Sequence, residues 1–498
     1  MGYPSKPGYV ALDEVEHGDS MKGFELILAL GEGAINRALE STFNFLSTKN
    51  VRKHHRIQLP DHDFEGTMAA PRVKLDEVMA DSVWLMVNLD KAKFKGGMRS
   101  GWSFAYKIKL RSQSLSPEQV EKLEGISDEV REILRLRAKD RTATVRNVML
   151  DFEHSSTSAF DAGRSSHSGA TREELTKIGL HQAFSQYFSA LRSWENTYSL
   201  SFFVEDIEPA QQRRQPTFVP GAGVYSVHPP SGGGKAGSLD LLMMRQGHSQ
   251  LPATRSFAHS WAGDGQSDGR LVISWRLFLQ GWLLPQVRSA YGLGTLPFRY
   301  VDHFGTPRWR VYDFVDKEEE EWVGLDRFVW NKIHSWQFFL DTATEQGADK
   351  ITKAIVKLEG EWIELVDLKR EALGGGRWWS RCDLPLPGRI AIAAGSDGKL
   401  SFKAEVEKRY AQCTGEKASD AIDIFIRLGG NDISDRQTAA MDNAVSYLRS
   451  LSDRATLHLT QHLSQSFLLP GGEQFFYKNA RFDEHQNLVF DVTIKSQN

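Results

Sequence analysis

The segment GWSFAYKIKL, Gly101–Leu110, sets Trp102, Phe104, Tyr106, Ile108 and Leu110 against Ser103, Ala105, Lys107 and Lys109. Successive side chains of a strand point to opposite faces, so this alternation predicts an antiparallel strand with one apolar side. Such a side has to be covered. The chain supplies a cover after Thr171-Arg-Glu-Glu174, which reads as a capping box. A wide helical stripe of Leu175, Ile178, Leu180, Phe184, Tyr187, Phe188, Leu191 and Trp194 follows it. A strongly bent antiparallel sheet wrapped round a long helix uses both patterns. Either its inner side chains meet and the core is full, which is the rule for protein interiors, or they fall short and leave an apolar tunnel.

The rest of the chain repeats this grammar. Gly23–Leu30 predicts a strand, and Ile35, Ala38, Leu39, Thr42, Phe43 and Leu46 recur at helical spacing. Val83, Leu85, Val87 and Leu89 alternate with Trp84 and Met86, a strand partly covered on both faces. Pro117–Glu124 and Asp128–Lys139 read as short helices, and Val148, Leu150 and Phe152 as one face of a strand. Tyr198–Val204 reads as a strand, whereas residues 49–80 show no period and read as loop. Pro and Gly concentrate in 213–237, which reads as a linker between an N-terminal α+β half (1–212) and a C-terminal α+β half (238–498). In the second half, strands are expected at Leu239–Met244, Leu271–Ser274, Trp309–Phe314, Ile351–Leu358, Trp362–Leu368, Arg389–Ala393, Leu400–Val406, Ala421–Ile426, Gln474–Tyr477 and Leu488–Ile494. A helix with Met441, Ala444, Val445, Leu448 and Leu451 on one face starts from the box Ser434-Asp-Arg-Gln437.

Bulk properties exclude more than they assign. The 61 basic and 64 acidic residues leave a net charge of -3, so no nucleic-acid or anionic-membrane partner is expected from charge. Cys382 and Cys413 are too few for a disulfide framework and lack metal-type spacing, which fits a reducing, cytoplasmic location. The first residues lack the order of a secretory signal, and Lys6 stands where a myristoylation signal wants Ser or Thr. SGGGK (Ser231–Lys235) has Pro229 and Ala236 where a phosphate loop needs Gly and a hydroxyl. HLTQH (His458–His462) lacks the general-base Glu of a zinc protease, and DHD (Asp61–Asp63) is too short for a calcium loop. The acidic run Glu318–Glu321 reads as a solvated face. No cofactor and no metal is expected, and no catalytic residue can be named.

Leu271–Val287 is the most apolar stretch, yet it is shorter than the ~20 apolar residues of a membrane span and carries Arg276, so no transmembrane segment is expected. GRLVISWRLFLQGWLLPQV (Gly269–Val287) reads as a strand ending at Ser274 followed by a helix with Leu277, Phe278, Leu283, Leu284 and Pro285. Together with FLLPGGEQFFYKNARFDEHQNLVFDVTI (Phe467–Ile494) it resembles the tubular lipid-binding (TULIP) superfamily, in particular the OrfX group of clostridial neurotoxin clusters and its forty-seven-kilodalton relative. The insertions at 49–80 and 116–140 depart from that group. The resemblance implies an α+β fold of long, strongly curved antiparallel sheets wrapped around amphipathic helices, an apolar groove for a lipid, and no catalytic residues.

On this reading Trp275, Phe278, Trp282 and Leu283 face the core or a ligand groove, with Arg276 and Gln280 outside. Three functions stay open. The first is non-catalytic binding of a lipid or other hydrophobic small molecule, in a role accessory to a toxin or secretory system. The second is a cofactor-independent cyclase or isomerase that folds an apolar substrate in the same cavity. The third is a protein-binding scaffold whose core is full.

Overall fold

The structure is a computed structural model. It describes residues 20–46, 55–77, 81–140, 142–154, 160–193, 195–206, 218–230, 237–245, 248, 250–255, 257, 260–262, 267–292, 299–303, 306–323, 326–347, 351–370, 377–395, 397–407, 409, 412–415, 435–453, 455–456 and 466–495. Among the described residues strands dominate, every pairing among them is antiparallel, and they form three sheets, one of them curled strongly into a half-barrel. The α+β class with curved antiparallel sheets around helices is therefore what the chain adopts.

The N-terminal, ten-stranded sheet contains the one-sided strand, which runs as Trp102–Leu115 between Ser82–Phe94 and Ala143–Asp151. Trp102, Phe104, Tyr106, Ile108 and Leu110 are buried while Lys107 and Lys109 are exposed. The cover comes from the helix Leu180–Ala190. Phe184 sits 5.1 Å from Phe104, and Phe188 meets Tyr106 edge-on at 5.0 Å, centroid to centroid. The capping box at Thr171 forms, but the helix it starts ends at Lys177, because Gly179 takes the left-handed conformation (φ 74°) before the second helix begins. Two short helices thus carry the expected stripe, and Trp194 lies outside the described residues. Within 49–80, read as loop, Arg56–Leu59, Phe64–Met68 and Arg72–Lys74 are strands. Their alternation is real, with Ile57, Phe64, Met68 and Val73 buried, but each run is too short to show a period in the sequence.

The central, six-stranded sheet is assembled from distant parts of the chain in the order Pro220–His228, Ser238–Arg245, Leu26–Gly31, Gly269–Ile273, Leu488–Lys495, Gln474–Phe482. The strand Pro220–His228 falls inside the segment read as linker, and residues 213–217 and 231–236 lie outside the described residues. The halves on either side of that segment share this sheet, through the pairing of Leu26–Gly31 with Ser238–Arg245 and Gly269–Ile273.

The C-terminal, eight-stranded sheet has the longest strands, Thr306–Val323, Asp326–Gln346 and Thr352–Arg370. At about 3.3 Å per residue, the 21 residues of the second reach roughly 70 Å. Thr352–Arg370 was expected as two strands with a break near Gly360. The chain continues because glycine leaves room: a Cβ at Gly360 would come within 2.4 Å of the Phe338 ring. The acidic run lies within Thr306–Val323, and Lys317 and Glu318 there are exposed. The helix over 435–453 buries Met441, Ala444, Val445, Leu448 and Leu451 as expected. Gln437 does not fold back as a box residue. Its buried side-chain amide donates to the carbonyls of Trp362 and Cys382, fixing the helix to the sheet.

Cys382 is disulfide-bonded, and Cys413, the other cysteine of the chain, stands opposite it in the strand register. Disulfides persist in oxidising surroundings, so this bond does not go with the reducing location inferred from the cysteine count. His458–His462 and Ala421–Ile426 lie outside the described residues. Among the described residues, no helix is long and apolar enough to cross a membrane.

The edge of the central sheet is tied by Asp491, which accepts from Arg481 at 2.9 Å, Asn479 at 3.0 Å and Arg270 at 3.1 Å. A register shift between Lys478 and Arg481, with Asn479 at φ 49°, interrupts the strand where these two donors reach the carboxylate. Burial pushes the Asp491 carboxyl up, but the bonds from Arg481 and Asn479 and the charge of Arg481 outweigh it and hold it below its usual range. A depressed carboxylate stabilises the fold above the unfolded value of about 3.9 and loses that contribution as the pH falls through its lowered folded value. Asp491→Asn is therefore expected to lower the melting temperature at neutral pH, with the difference from the parent closing in acid. Thermal unfolding followed by circular dichroism across pH checks this; a gap of constant size would assign Asp491 a pH-independent role.

Candidate functional site

Trp275, Phe278, Trp282 and Leu283 come together, and they do so inside the main core, 2%, 0%, 3% and 0% exposed respectively. Arg276 and Gln280 are exposed, as their spacing predicts. The segment is not an ordinary helix. Arg276–Leu283 runs as a π-helix, in which the Leu284 N–H bonds the Leu279 carbonyl five residues back, and an α-helix follows over Leu284–Ala290. Pro285 accounts for part of this. It has no N–H to give, and in α-register its ring would crowd the carbonyl of Gly281. The wider turn also carries the Arg276 carbonyl to 3.1 Å from where a Cβ on Gly281 would sit. Rings fill the space around it. Phe278 stacks on Trp282 at 5.6 Å, Phe218 and Phe482 lie 6.4 and 6.0 Å from Phe278, Trp282 meets Phe402 edge-on at 5.5 Å, and Trp275 lies 5.3 Å from Trp309.

A cleft of about 370 Å³ opens elsewhere, where the three sheets meet. One wall is the helix Asp128–Lys139, whose N-cap Ser127 accepts from the Val130 N–H. It presents Glu129, Val130 and Ile133. The opposite wall is the segment Phe467–Tyr477, which crosses from the N-terminal sheet to the central one. Phe467 and Leu468 pair with Phe203 and Phe202; the chain then turns through Gly472 at φ 84° and enters the edge strand with Phe475, Phe476 and Tyr477. The turn touches the helix directly, because the Ser127 N–H donates to the Pro470 carbonyl and a Cβ on Gly472 would lie 3.1 Å from Ser127 Oγ. The third wall is the hairpin turn Asp397–Lys399 of the C-terminal sheet. Gly398, at φ 74°, lies flat on Phe476, where a Cβ would come within 2.5 Å of the ring, and its carbonyl accepts from the Tyr477 N–H.

The cleft is apolar within and charged at its margins. Phe467, Phe475, Tyr477 and Val130 are buried; Ile133, Leu468 and Phe476 are half-buried. Burial raises the Tyr477 phenol far above its ordinary range, so it stays protonated. Glu129, Asp397, Glu473 and Lys399 supply the charges, with the Lys399 ammonium 3.6 Å from Asp397. Glu473 accepts from Ser41 Oγ at 2.9 Å through one oxygen, while the other is buried without a hydrogen-bond partner.

Other polar clusters are committed to structure. His228 and Asp240 are fully buried, 2.8 Å apart but off the line of a hydrogen bond. The other ring nitrogen of His228, which would take a proton in nucleophilic catalysis, accepts from the Phe257 N–H at 3.0 Å. Asp151, Glu153 and His154 bring three ligand-type atoms within 4.8 Å of one another. Asp151 accepts from the backbone amides of Glu153 and His154 and is bonded by the His154 ring, and Glu153 is paired with Arg111. In the DHD motif, Asp63 accepts from Lys93 and the Gly96 amide, which hold its carboxyl below the usual range.

The turn-and-strand FLLPGGEQFFYK was visible in the sequence, but Ile133 and Glu473 as partners across a cleft were not. Helix and strand lie more than three hundred residues apart, and no periodicity reports on that contact.

No protein-family model matches the chain, and no curated protein does. Among solved structures it is similar to P47 from Clostridium botulinum A2, with a TM-score of 0.49 and 12% identity over 95% of this chain and 98% of that one. P47 of Clostridium botulinum E1 gives a TM-score of 0.49 and 11% identity over 95% and 99% of the two chains. A lipopolysaccharide binding protein gives a TM-score of 0.29 and 11% identity over 95% and 99%. The likeness expected from the sequence is thus found, and it concerns the fold.

Phe278→Ala separates a core ring from a groove ring. With its neighbours filled in on all sides, the loss expected is about 3–5 kcal/mol. Chemical denaturation of the purified variant checks it; a loss below about 1 kcal/mol would show that the ring borders open space.

Proposed function

We propose that this protein binds a hydrophobic small molecule or lipid without transforming it, in the cleft between the helix Asp128–Lys139 and the segment Phe467–Tyr477. The observation that carries the reading is the cleft itself: about 370 Å³, walled by Val130, Ile133, Phe467, Leu468, Phe475 and Phe476. Ligand pockets are typically of this kind, roughly 300–1,000 Å³, mainly apolar, with a few polar groups that fix orientation, and they favour junctions between structural units. The cluster of Trp275, Phe278, Trp282 and Leu283 enters the proposal as the packed interior that stiffens the central sheet. Exposed Leu136 supports the reading as well. It stands one turn beyond Ile133 on the same helix and is 58% exposed, one of two large apolar side chains so placed among the described residues. A role accessory to a toxin or secretory system belongs to the same proposal and rests on the sequence resemblance alone.

The scaffold reading draws on the filled interior around Phe278, and the two are separable. An environment-sensitive apolar fluorophore is expected to bind the parent protein with an affinity that hardly changes with salt, since burial supplies the free energy. Filling the cleft with Ile133→Trp is expected to abolish binding while the melting temperature stays near that of the parent. Undiminished binding by that variant would remove the cleft from the proposal, and no binding by the parent would favour the scaffold.

A further inference from the structure

We infer that the cleft prefers a ligand with a hydrogen-bond-donating cationic head, an amphiphilic amine in preference to a fatty acid; this rests on the cleft being the binding site. The geometry around Glu473 points to it. One carboxylate oxygen of this cleft-lining side chain is used by Ser41 Oγ at 2.9 Å, and the other is buried with no donor among the described residues. A buried acceptor left unmade is costly, and a donor that reaches it recovers a charge-assisted bond. Among the described residues, no lysine or arginine bonds that oxygen. Lys399, the one cation lining the cleft among the described residues, lies 3.6 Å from Asp397.

The surroundings keep the same sign. Glu129 leans over the turn beside Glu473, its Oε2 3.4 Å from where a Cβ on Gly472 would sit. Among the described residues, three carboxylates against one ammonium leave two negative charges at the cleft margin. A carboxylate head would meet like charges and find no donor at Glu473. A neutral alcohol would satisfy the free oxygen without gaining from the charge. An ammonium does both, and its alkyl chain has the apolar wall of Ile133 and Phe476 to lie on, continuing outward to exposed Leu136.

Competition against the apolar fluorophore tests this, using decylamine, decanol and decanoate below their aggregation concentrations, with ethylamine as a cation lacking a tail. Decylamine is expected to displace the probe at roughly tenfold lower concentration than decanoate, the usual scale of one charge-assisted bond. Decanol should fall between them, and ethylamine should displace nothing. Glu473→Gln is expected to bring decylamine and decanoate within about threefold of each other. Should that variant fold poorly, the parent's amine preference must shrink as salt rises. Equal or tighter binding of decanoate by the parent, or an amine preference that survives Glu473→Gln in a folded protein, overturns the assignment while the cleft reading stands. Displacement by ethylamine would also overturn it, as a plain cation site. Failure of the probe to bind at all removes the cleft reading, and this inference with it.

Discussion

A strand buried on both faces is the constraint from which the rest follows. All six residues of Leu26–Gly31 are buried. Leu26, Leu28 and Leu30 join the main core, whereas Ile27 and Ala29 join a second core with Phe24, Phe257 and Trp261. A strand in this position cannot be an edge and cannot be left uncovered. It needs a neighbour on each side, supplied by Ser238–Arg245 and Gly269–Ile273, and a layer on each face. Once these are in place, the helix Glu32–Leu46 is carried across to the N-terminal sheet, where Asn36 bonds both backbone groups of Val73 and Thr42 bonds the Ser199 carbonyl. The apolar stretch after Ile273 is carried inward in the same way, with Ser274 bonding the Glu25 carbonyl and Trp275 bonding Asn487.

This arrangement accounts for the difference between the two apolar features. Inside the main core, aromatic rings from three distant segments, at Phe218, Phe402 and Phe482, close on Phe278 and Trp282, as close-packed protein interiors require. At the margin, three sheets with different curvatures meet, and their side chains cannot all interdigitate. The space left over is the cleft. Its lining is apolar because each wall is the end of a core-facing element, and it is acidic at the margin because Glu129, Asp397 and Glu473 all stand in turns or at a helix start.

Period and capping made much of the fold legible. Trp102–Leu110 and the helix carrying Met441 to Leu451 could be read face by face, since alternation and helical spacing report directly on burial. Residues 56–74 could not, because three strands of at most five residues give no period to read. Gly360 looked like a break because a glycine between two glutamates reads as a turn, and only the Phe338 ring across the sheet reveals why the strand needs it. The four residues expected at the site were found together because strand and helix spacing put them on one side. Whether that side met other side chains or a ligand depended on Phe218, Phe402 and Phe482, which no local pattern connects to them. Glu473 was hidden for a related reason, since the bond it accepts from Ser41 spans 432 residues of chain.

The make-up of the central sheet also sets a timetable for the chain. Leu26–Gly31 is made before either of its neighbours, one of which begins at Ser238 and the other at Gly269, and Leu488–Lys495 joins the sheet later still. Contacts this distant in sequence are slow to form, and a strand waiting for them exposes two unpaired edges and two apolar faces. The newly made first half therefore carries a sticky element that it cannot satisfy by itself. Its local strand pairs can form at once, while its opening strand must be sheltered, by transient contacts or by a chaperone, until more than two hundred further residues have followed.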